Sequence, residues 1–294
     1  MAHETVAAAE EILDREFSVL DQGFVRLVDY CGGDQRIVQA ARVSYGEGTK
    51  SYREDRGLIH YLLRNLHTSP FEQVSLTFHA KMPVFVARQW VRHRTARLNE
   101  ISGRYSVMKD EFYLPRGEAI APQASDNKQG RSPEAFDPDR QAAIRDTLQA
   151  EQARSYQAYQ ELLDQDVARE LARINLPLSM YTEWYWQIDL HNLFHFLALR
   201  LDAHAQYEIR EYARVMLDIV RRVAPLATEA FEEHQMGAVR FSRREFEALQ
   251  ALLRPVTDGE DDGDPAVRAA AEDAGLKGRD ADRFVSKIQT GRMA

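Results

Sequence analysis

The feature that most restricts the fold of this chain is a run of nine residues in which apolar and polar side chains alternate. This run, Val74–Met82, reads VSLTFHAKM. Because successive side chains of a strand point to opposite faces, the pattern predicts a half-buried β-strand. Pro83 follows directly and suits the first turn of a helix. The next apolar residues are spaced as on one face of that helix: Val86, Ala87, Trp90 and Val91. The sequence therefore predicts a mixed α/β chain.

Other segments extend this alternation of strands and helices. Phe24–Tyr30 reads as a strand that stops at Gly32-Gly33, and Asp34 is placed to cap a helix that ends near Val43. Tyr181–Ile188 is rich in aromatic residues and typical of a strand, and Asp189 can cap the helix after it. Helical spacing predicts further helices at about residues 59–66, 83–94, 138–163, 167–174 and 203–223, with a polar surface loop at residues 121–137.

The size and composition of the chain suit one large globular domain with extensions. Of its 294 residues, 44% are hydrophobic and 29% are charged, which is enough to bury a sizeable core. We place this domain at residues 16–250, after an N-terminal extension of residues 1–15. Residues 251–294 contain an acidic, glycine-rich linker, DGEDDGD, and form a C-terminal tail to which we assign no role.

The sequence also indicates the compartment of the protein. It contains no run of about 18 apolar residues, so we expect no membrane contact. Its first residues are acidic where a signal peptide needs basic ones, so we expect a cytoplasmic protein. Cys31 is the single cysteine, which excludes an intramolecular disulfide and a metal site built from several cysteines of one chain.

Positive charge is concentrated in one short segment of an acidic chain. The formal net charge is −8, yet residues 88–104 carry five arginines against a single acid. Clustered guanidinium groups repel each other unless an anion or several acids lie among them. We expect a turn at Asn99–Tyr105 before a further strand, where Ser102-Gly103 offers a hydroxyl and an approachable backbone and Arg104 can grip phosphate. An anion site and a solvated basic surface are both open at this point.

Two further arginines lie in strongly apolar surroundings. Arg173 is part of LARINL and Arg200 is part of FLALRL. An unpaired buried charge costs several kcal/mol, so each arginine needs a partner if it is buried. An acid of the fold, or the phosphate or ring edge of a ligand, would serve equally well.

Two histidines have the spacing of metal ligands. His191 and His195 are four residues apart and share a helix face. Asn192 stands where a zinc protease motif has its glutamate, and no third ligand is evident, so we expect no metal. A dinucleotide fingerprint and a P-loop are also absent from the sequence, so a nucleotide would have to be held in another way.

Several segments together resemble one protein family. Residues 92–105, RHRTARLNEISGRY, resemble the signature of the flavin-dependent thymidylate synthases, in which Arg-His-Arg is followed after seven residues by Ser. HTSPFE at residues 67–72 is similar to the segment before the family's long strand, and PVFVARQWVRHR at residues 83–94 is similar to its central helix. ARINLP at residues 172–177 and the stretch 192–206 resemble later blocks. The segments follow the family's order over residues 20–235, and residues beyond about 250 lie outside the resemblance.

The resemblance implies a fold and a reaction. The implied fold is α/β of the α+β type, a central antiparallel sheet flanked by helices, assembled as a homotetramer whose active sites are shared between subunits. The implied reaction is the reductive methylation of dUMP to dTMP, with 5,10-methylenetetrahydrofolate as carbon donor, NADPH as reductant and FAD as redox carrier. In this family the one-carbon unit passes through the flavin, so a cysteine far from the motifs is consistent with it.

The resemblance also implies roles for single residues. Arg200 and Ser102 are the expected catalytic residues, with Arg200 at the edge of the uracil ring, where it can stabilise negative charge. The residues expected to bind FAD are His67, Ser69, Arg92, His93, Arg94, Thr95, Glu100, Asp189, His191 and His195, with His67 and Ser69 supplied by another subunit. The residues expected to hold dUMP are Gln89, Arg92, Glu100, Ser102, Gly103, Arg104, Arg173 and Arg200. Arg97 replaces a serine that the family often has, and its role stays open.

Two other functions are open on the residues alone. A nucleic-acid-binding module would use the basic cluster at residues 88–104, with Trp90 and Tyr105 as stacking groups. The net charge of −8 argues against this function, and we expect neither nucleic acid nor a membrane among the partners. A non-catalytic nucleotide binder would keep the site without turnover.

Overall fold

A five-stranded sheet lies at the centre of the first part of the chain. The strands are β1 (Phe17–Val19), β2 (Gly23–Cys31), β3 (Ser75–Pro83), β4 (Arg97–Glu100) and β5 (Tyr181–Asp189). Their spatial order is β1-β2-β3-β5-β4, and every neighbouring pair is antiparallel. The computed structural model describes residues 4–43, 52–125, 128–257 and 264–290. It confirms the central antiparallel sheet and the strands predicted at residues 24–30, 74–82 and 181–188.

The helices lie between and after these strands. Those of the first part of the chain are α1 (Ala7–Glu10), α2 (Asp34–Arg42), α3 (Tyr52–Arg64), α4 (Val84–Trp90), α5 (Pro138–Asp164), α6 (Arg169–Ala172), α7 (Leu190–Arg200), α8 (Tyr207–Val223) and α9 (Pro225–Phe231). Short 3₁₀ turns lie at Phe71–Gln73, Gly117–Ala119 and Arg173–Asn175, and a π-helical turn lies at Glu232–Met236. A mixed α/β fold with helices flanking the sheet is therefore confirmed.

The alternation in β3 sorts its side chains as predicted. Leu76, Phe78 and Ala80 are fully buried, whereas the side chains between them are half-buried. On the buried side, an aromatic cluster joins the sheet to the helices around Trp90 of α4. Its members lie with ring centroids 5.2–5.9 Å from the indole of Trp90: Trp184, Trp186, Phe196 and Tyr212. Burial of such large rings fixes α4, α7 and α8 relative to the sheet.

The segment after α4 differs from the prediction. The helix ends at Trp90 rather than near Arg94, and the strand β4 comes before the turn instead of after it. Arg97–Glu100 pairs with β5 at the edge of the sheet, and all four residues are exposed. Because none of them is buried, the strand has no alternating pattern, and its pairing with a distant strand decides its conformation.

Asp34 caps a different helix from the one predicted. Its carboxylate accepts hydrogen bonds from the backbone N–H groups of Leu226 and Ala227, at 2.8 and 2.9 Å, in the first turn of α9. At the start of its own helix the capping residue is Gly33, without a side-chain hydrogen bond. Burial raises the pKa of Asp34 to about 6, despite the two backbone donors. Asp189, in contrast, caps α7 as predicted, since it accepts from the backbone N–H of Asn192 at 2.9 Å.

The chain divides between Gly237 and Ala238 into two compact units. The second unit contains α10 (Arg243–Thr257), α11 (Asp264–Asp273) and α12 (Arg279–Thr290). Val267 and Ala271 of α11 and Ala281 and Val285 of α12 are its buried apolar residues. The boundary that we predicted after residue 250 falls within α10. Among the described residues, no helix combines the length and the apolar character that a membrane span requires.

Candidate functional site

The structure divides the predicted site residues into two groups with separate contacts. The first group, which we call the helix-end cluster, consists of Gln89, Arg92, His93 and Arg200, at the ends of α4 and α7. The second, which we call the turn groove, is built from β4, the turn after it and Arg173. Within the described residues, no hydrogen bond or ion pair joins the two groups. The contacts of each group are therefore separate from those of the other.

In the helix-end cluster, Arg200 is held by two neutral partners. Its Nε donates to Nε2 of His93 at 3.0 Å, and its Nη2 donates to the backbone oxygen of Gln89 at 3.1 Å. The side chain is half-buried, and in the described part of the chain it forms no ion pair with an acid. The fold therefore fixes the direction of this guanidinium without neutralising its charge.

The electrostatics of the cluster favour an anionic ligand. Burial, followed by the charges of Arg200 and His195, lowers the pKa of His93 to about 4, so the ring is neutral at pH 7 and its Nε2 can accept. Burial and the nearby charge of Arg92 lower the pKa of Arg200. Burial is the larger cause of both shifts, and the positive charge of neighbouring side chains adds to it. A ligand that brings negative charge would relieve the repulsion.

The turn groove starts at the end of β4. Glu100, the last residue of the strand, accepts a hydrogen bond from the hydroxyl of Thr182 on β5 at 2.6 Å. In the turn that follows, the hydroxyl oxygen of Ser102 accepts from the backbone N–H of Arg104 at 3.3 Å. Glu100 and Ser102 both line an open groove of about 640 Å³, which is lined also by Gly103, Glu170, Arg173 and Met180.

Gly103 is needed for the close packing of this turn. A Cβ atom at residue 103 would lie 2.7 Å from Sδ of Met108 and 3.2 Å from Cδ of Arg173. The Met108 side chain would have to move, and the Arg173 side chain would have to shift by a few tenths of an ångström. The absence of a side chain therefore brings the Arg173 side chain against the turn, where a ligand can approach the backbone.

The arginines of the groove differ in their pairing. Arg104 lies 3.2 Å from Glu170, and both side chains are more than half exposed, so the pair contributes little to stability. Arg173 is half-buried and forms no ion pair within the described residues. We left open whether an acid of the fold or a ligand pairs with Arg173 and Arg200. Among the described residues, neither arginine has an acid as its partner.

Four more residues of the basic segment are exposed and have no acidic partner. Arg88, Arg92, Arg94 and Arg97 form no ion pair in the portions of the chain that the structure describes. Thr95, next to them, is exposed as well. Arg97 lies in β4 opposite Gln187. A group with two phosphates fits a donor set of this kind, because Arg binds phosphate through paired, charge-assisted hydrogen bonds.

The remaining predicted residues lie apart from the two groups or at their edge. The ring of His195 is 5.9 Å from that of His93, at the edge of the helix-end cluster. His191 and Asp189 lie at the other end of α7. His67 stacks on Tyr61 at 5.8 Å, and it and Ser69 are exposed before β3, without a contact to either group. Among the described residues, no three His, Cys, Asp or Glu side chains are placed to share a metal ion.

Two polar residues that contact the predicted site, Thr182 and Gln206, and a third behind them, Glu208, were missed. Thr182 holds Glu100, and nothing in the sequence signals this pairing between strands. Gln206 accepts a hydrogen bond from the side-chain amide of Gln89, and it donates to Glu208 at 2.8 Å. A signal for Glu208 did exist, because it shares the buried face of α8 with Tyr212 and Met216, at intervals of four residues.

Comparison with known proteins places the chain among nucleotide-methylating enzymes. Residues 26–226 match the family described as "Thymidylate synthase complementing protein". Residues 239–294 match the family described as "Thymidylate synthase ThyX C-terminal domain". The second match overturns the expectation that the resemblance ends near residue 250, and it covers the tail that we left without a role.

Individual relatives agree with the family matches. A flavin-dependent thymidylate synthase of Treponema denticola is 61% identical over 281 residues, which cover 96% of this chain and 100% of the relative. A protein of the same description from Treponema pallidum is 56% identical over 291 residues, covering 99% of this chain and 90% of the relative. The crystal structure of the UMP/dUMP methylase PolB from Streptomyces cacaoi, bound with 5-Br dUMP, superposes with a TM-score of 0.68 at 32% identity. It covers 75% of this chain and 99% of that one.

Proposed function

This chain belongs to the family of flavin-dependent thymidylate synthases, and we propose that its active site combines the helix-end cluster of one copy with the turn groove of another. It is a transferase that uses FAD and acts on dUMP. The observation that carries the proposal is that each group presents an arginine, Arg200 or Arg173, that forms no ion pair among the described residues. Among the described residues of one chain, no hydrogen bond or ion pair joins the two groups.

The reaction that we propose is the conversion of dUMP to dTMP, with 5,10-methylenetetrahydrofolate as carbon donor and NADPH as reductant. Ordinary thymidylate synthases use a cysteine as nucleophile. When bound, FAD would instead supply the one-carbon carrier and the redox chemistry. The position of Cys31 supports this route. It pairs with Ser75 at one end of β3, whereas Pro83, at the opposite end, leads into α4 and the helix-end cluster.

The turn groove is suited to the phosphate and sugar of dUMP. Ser102 and Gly103 present a hydroxyl and an open backbone, and Arg104 and Arg173 flank them with guanidinium groups. The exposed pair between Arg104 and Glu170 costs little to break, so Arg104 is available to a phosphate. Glu100, fixed by Thr182, would lie between substrate and cofactor.

The helix-end cluster is suited to the reacting ring. A half-buried guanidinium without a counter-acid stabilises negative charge that develops on a neighbouring group more strongly than a solvated one does. We assign this role to Arg200, at the edge of the uracil ring. Because His93 is neutral, its Nε2 can accept the hydrogen bond from Arg200, and the ring adds no second positive charge beside the guanidinium.

The exposed part of the basic segment is suited to the cofactor. FAD carries a pyrophosphate, and its binding would place two negative charges among arginines that form no ion pair within the described part of the chain. We assign its binding to Arg92, His93, Arg94, Thr95 and Glu100, and to Asp189, His191 and His195 of α7. His67 and Ser69 would come from a neighbouring copy, because in one chain they contact neither group.

The assembly that we propose is a homotetramer with shared sites, acting in the cytoplasm. A nucleic-acid-binding or non-catalytic role finds no support in the comparisons, since the relatives and the solved structures are described as enzymes.

The test is a purified protein assayed for both cofactor and turnover. We expect a yellow protein whose flavin absorbance survives gel filtration at the mass of a tetramer. We expect it to release tritium from [5-³H]dUMP only when FAD, NADPH and methylenetetrahydrofolate are all present. A colourless protein that binds oligonucleotides in a salt-sensitive way would overturn the proposal, and so would a flavoprotein without turnover.

A further inference from the structure

A buried carboxylate lies behind the helix-end cluster. Glu208, in the first turn of α8, has a side chain that is only 2% exposed. Nη2 of Arg131 donates to both of its carboxylate oxygens, at 2.5 and 2.7 Å, and the hydroxyl of Tyr113 donates at 3.0 Å. The side-chain amide of Gln206 adds a further donor at 2.8 Å. With four donated hydrogen bonds, the Glu208 side chain acts purely as an acceptor.

This acceptor sets the orientation of two amides in series. Because Gln206 must turn its Nε2 toward the carboxylate, its Oε1 faces the other way, toward Gln89. An amide oxygen can only accept, so Gln89 must meet it with its own Nε2. The Oε1 atom and the second amide hydrogen of Gln89 are then left for a ligand. The Gln89 side chain makes no other hydrogen bond to the described residues.

Gln89 also belongs to the support of Arg200. Its backbone oxygen accepts from Nη2 of Arg200, while its side chain is held through Gln206. The residue therefore links the arginine that we place at the uracil ring with a carboxylate that does not itself reach the site. A change at the carboxylate would alter which atoms Gln89 presents to a nucleotide.

We propose that Glu208 is a positioning residue for the binding of dUMP. Glu208 acts through Gln206 and fixes the orientation of the Gln89 side-chain amide. This proposal rests on the proposed function, because it takes Gln89 to contact dUMP. A purely structural role for Glu208, tying the 121–137 loop to α8 through Arg131, makes a different prediction. It predicts a loss of stability on substitution with an unchanged KM for dUMP.

The experiment compares three variants of the flavin-loaded protein, in tritium-release assays at varied dUMP. Gln206→Met removes the link and leaves the carboxylate with Arg131 and Tyr113. Glu208→Gln replaces the pure acceptor by an amide that can present either a donor or an acceptor. The third variant combines both changes. Flavin content and Tm are measured for each variant.

We expect both single variants to raise the KM for dUMP about tenfold, which corresponds to one oriented hydrogen bond, with kcat within about threefold of wild type. Since both changes break the same series of bonds, the double variant should be no worse than the more affected single variant. The matched control is Tyr113→Phe, which removes a donor from the same carboxylate without touching Gln206. Its KM should stay within about twofold of wild type.

Several outcomes would overturn the proposal. One is a folded, flavin-loaded Gln206→Met protein with the KM of wild type, and another is a double variant in which the two effects multiply. If Glu208→Gln fails to fold, Gln206→Met still decides the question, because it keeps the carboxylate and its ion pair. A wild-type protein that does not turn over dUMP would instead overturn the proposed function, and the two failures are thus distinguished.

Discussion

The helix-end cluster and the turn groove both present arginines, but the fold supports them in different ways. Arg200 ends a helix that is packed into the core, and two neutral groups hold its guanidinium in place. Arg104 lies on a turn after an edge strand, more than half exposed, and pairs with an equally exposed acid. A charge held rigidly without a counter-ion is prepared to act on a reacting ring, whereas an exposed pair can open and close around a phosphate.

The sharpest test of this difference is removal of Arg200. We expect Arg200→Ala to lower kcat about 100- to 1,000-fold, as the loss of one preorganised charge does in other enzymes. Flavin content and the mass in gel filtration should stay those of wild type, because among the described residues the Arg200 side chain bonds only to His93 and to a backbone oxygen. Steady-state tritium release measures the effect, and Arg200→Lys, which keeps the charge without the planar fork, is the control. A kcat close to wild type would remove the proposed distinction between the two groups.

The second test asks whether the two groups of one active site come from different copies. Arg200→Ala damages the helix-end cluster and Arg173→Ala damages the turn groove, so each variant alone should have little activity. Co-expression with two affinity tags yields mixed assemblies, in which about a quarter of shared sites combine two intact groups. We therefore expect about a quarter of the wild-type kcat per site after tandem purification. Mixed assemblies that stay as inactive as the single variants would show that each copy builds its own site.

The third test addresses the turn groove alone. A Cβ at residue 103 would collide with Met108 and press on Arg173, so Gly103→Ala should raise the KM for dUMP about tenfold and change kcat little. Gly57→Ala is a matched control, because a Cβ at that helical position meets no atom within 4 Å. This control should leave the KM unchanged and stabilise the protein by about 0.5–1 kcal/mol. A fall in kcat without a rise in KM would place Gly103 at the reacting atoms instead.

The smallest expected effect concerns the pH dependence of stability. Because the pKa of His93 is about 4 when folded and 6.5 ordinarily, the unfolded chain takes up this proton first as the pH falls. The free energy of unfolding should therefore decrease between about pH 6.5 and pH 4. His93→Gln keeps an acceptor for Arg200 without a titrating ring, so urea denaturation at pH 5 to 7.5 should give a flatter profile.

Asp34 gives the opposite sign in the same experiment. Its pKa is about 6 in the fold against an ordinary 3.8, so the folded state takes up this proton first. Wild type thus gains stability from Asp34 as the pH falls from about 6 to 4. Asp34→Asn should make the remaining acid sensitivity steeper. An identical slope in wild type and His93→Gln would contradict the neutral state of the half-buried His93 ring.

Where the signal was local, the sequence predicted the fold well. The alternation of β3 and the capping of α7 by Asp189 depend on neighbouring residues, and the structure confirms both. The carboxylate of Asp34 instead finds its donors in a helix almost two hundred residues away, which no local pattern reveals. The exposed strand β4 was misplaced for a similar reason, since only its pairing with β5 defines it.

For the site, the sequence predicted residue types better than their arrangement. The excess of arginine at residues 88–104 follows from a count, and the resemblance assigns roles to its members. That these residues separate into two groups depends on the edge strand between α4 and the turn. The connection from Gln89 to Glu208 was equally hidden from the amino-acid sequence, because it runs through Gln206. The direction of its two hydrogen bonds follows only from the order of donors and acceptors in the folded chain.

Helix α7 has one consequence for how this enzyme can vary. Its eleven residues begin directly after the Asp189 cap and end with Arg200, so they form a rigid spacer of about 16 Å. Inserting one residue would rotate Arg200 by about 100° about the helix axis and carry it away from His93. Exposed positions such as Ala198 and Leu199 can accept other side chains, but the length of the helix cannot change. The length of α7 thus sets the distance between the Asp189 cap and the Arg200 side chain.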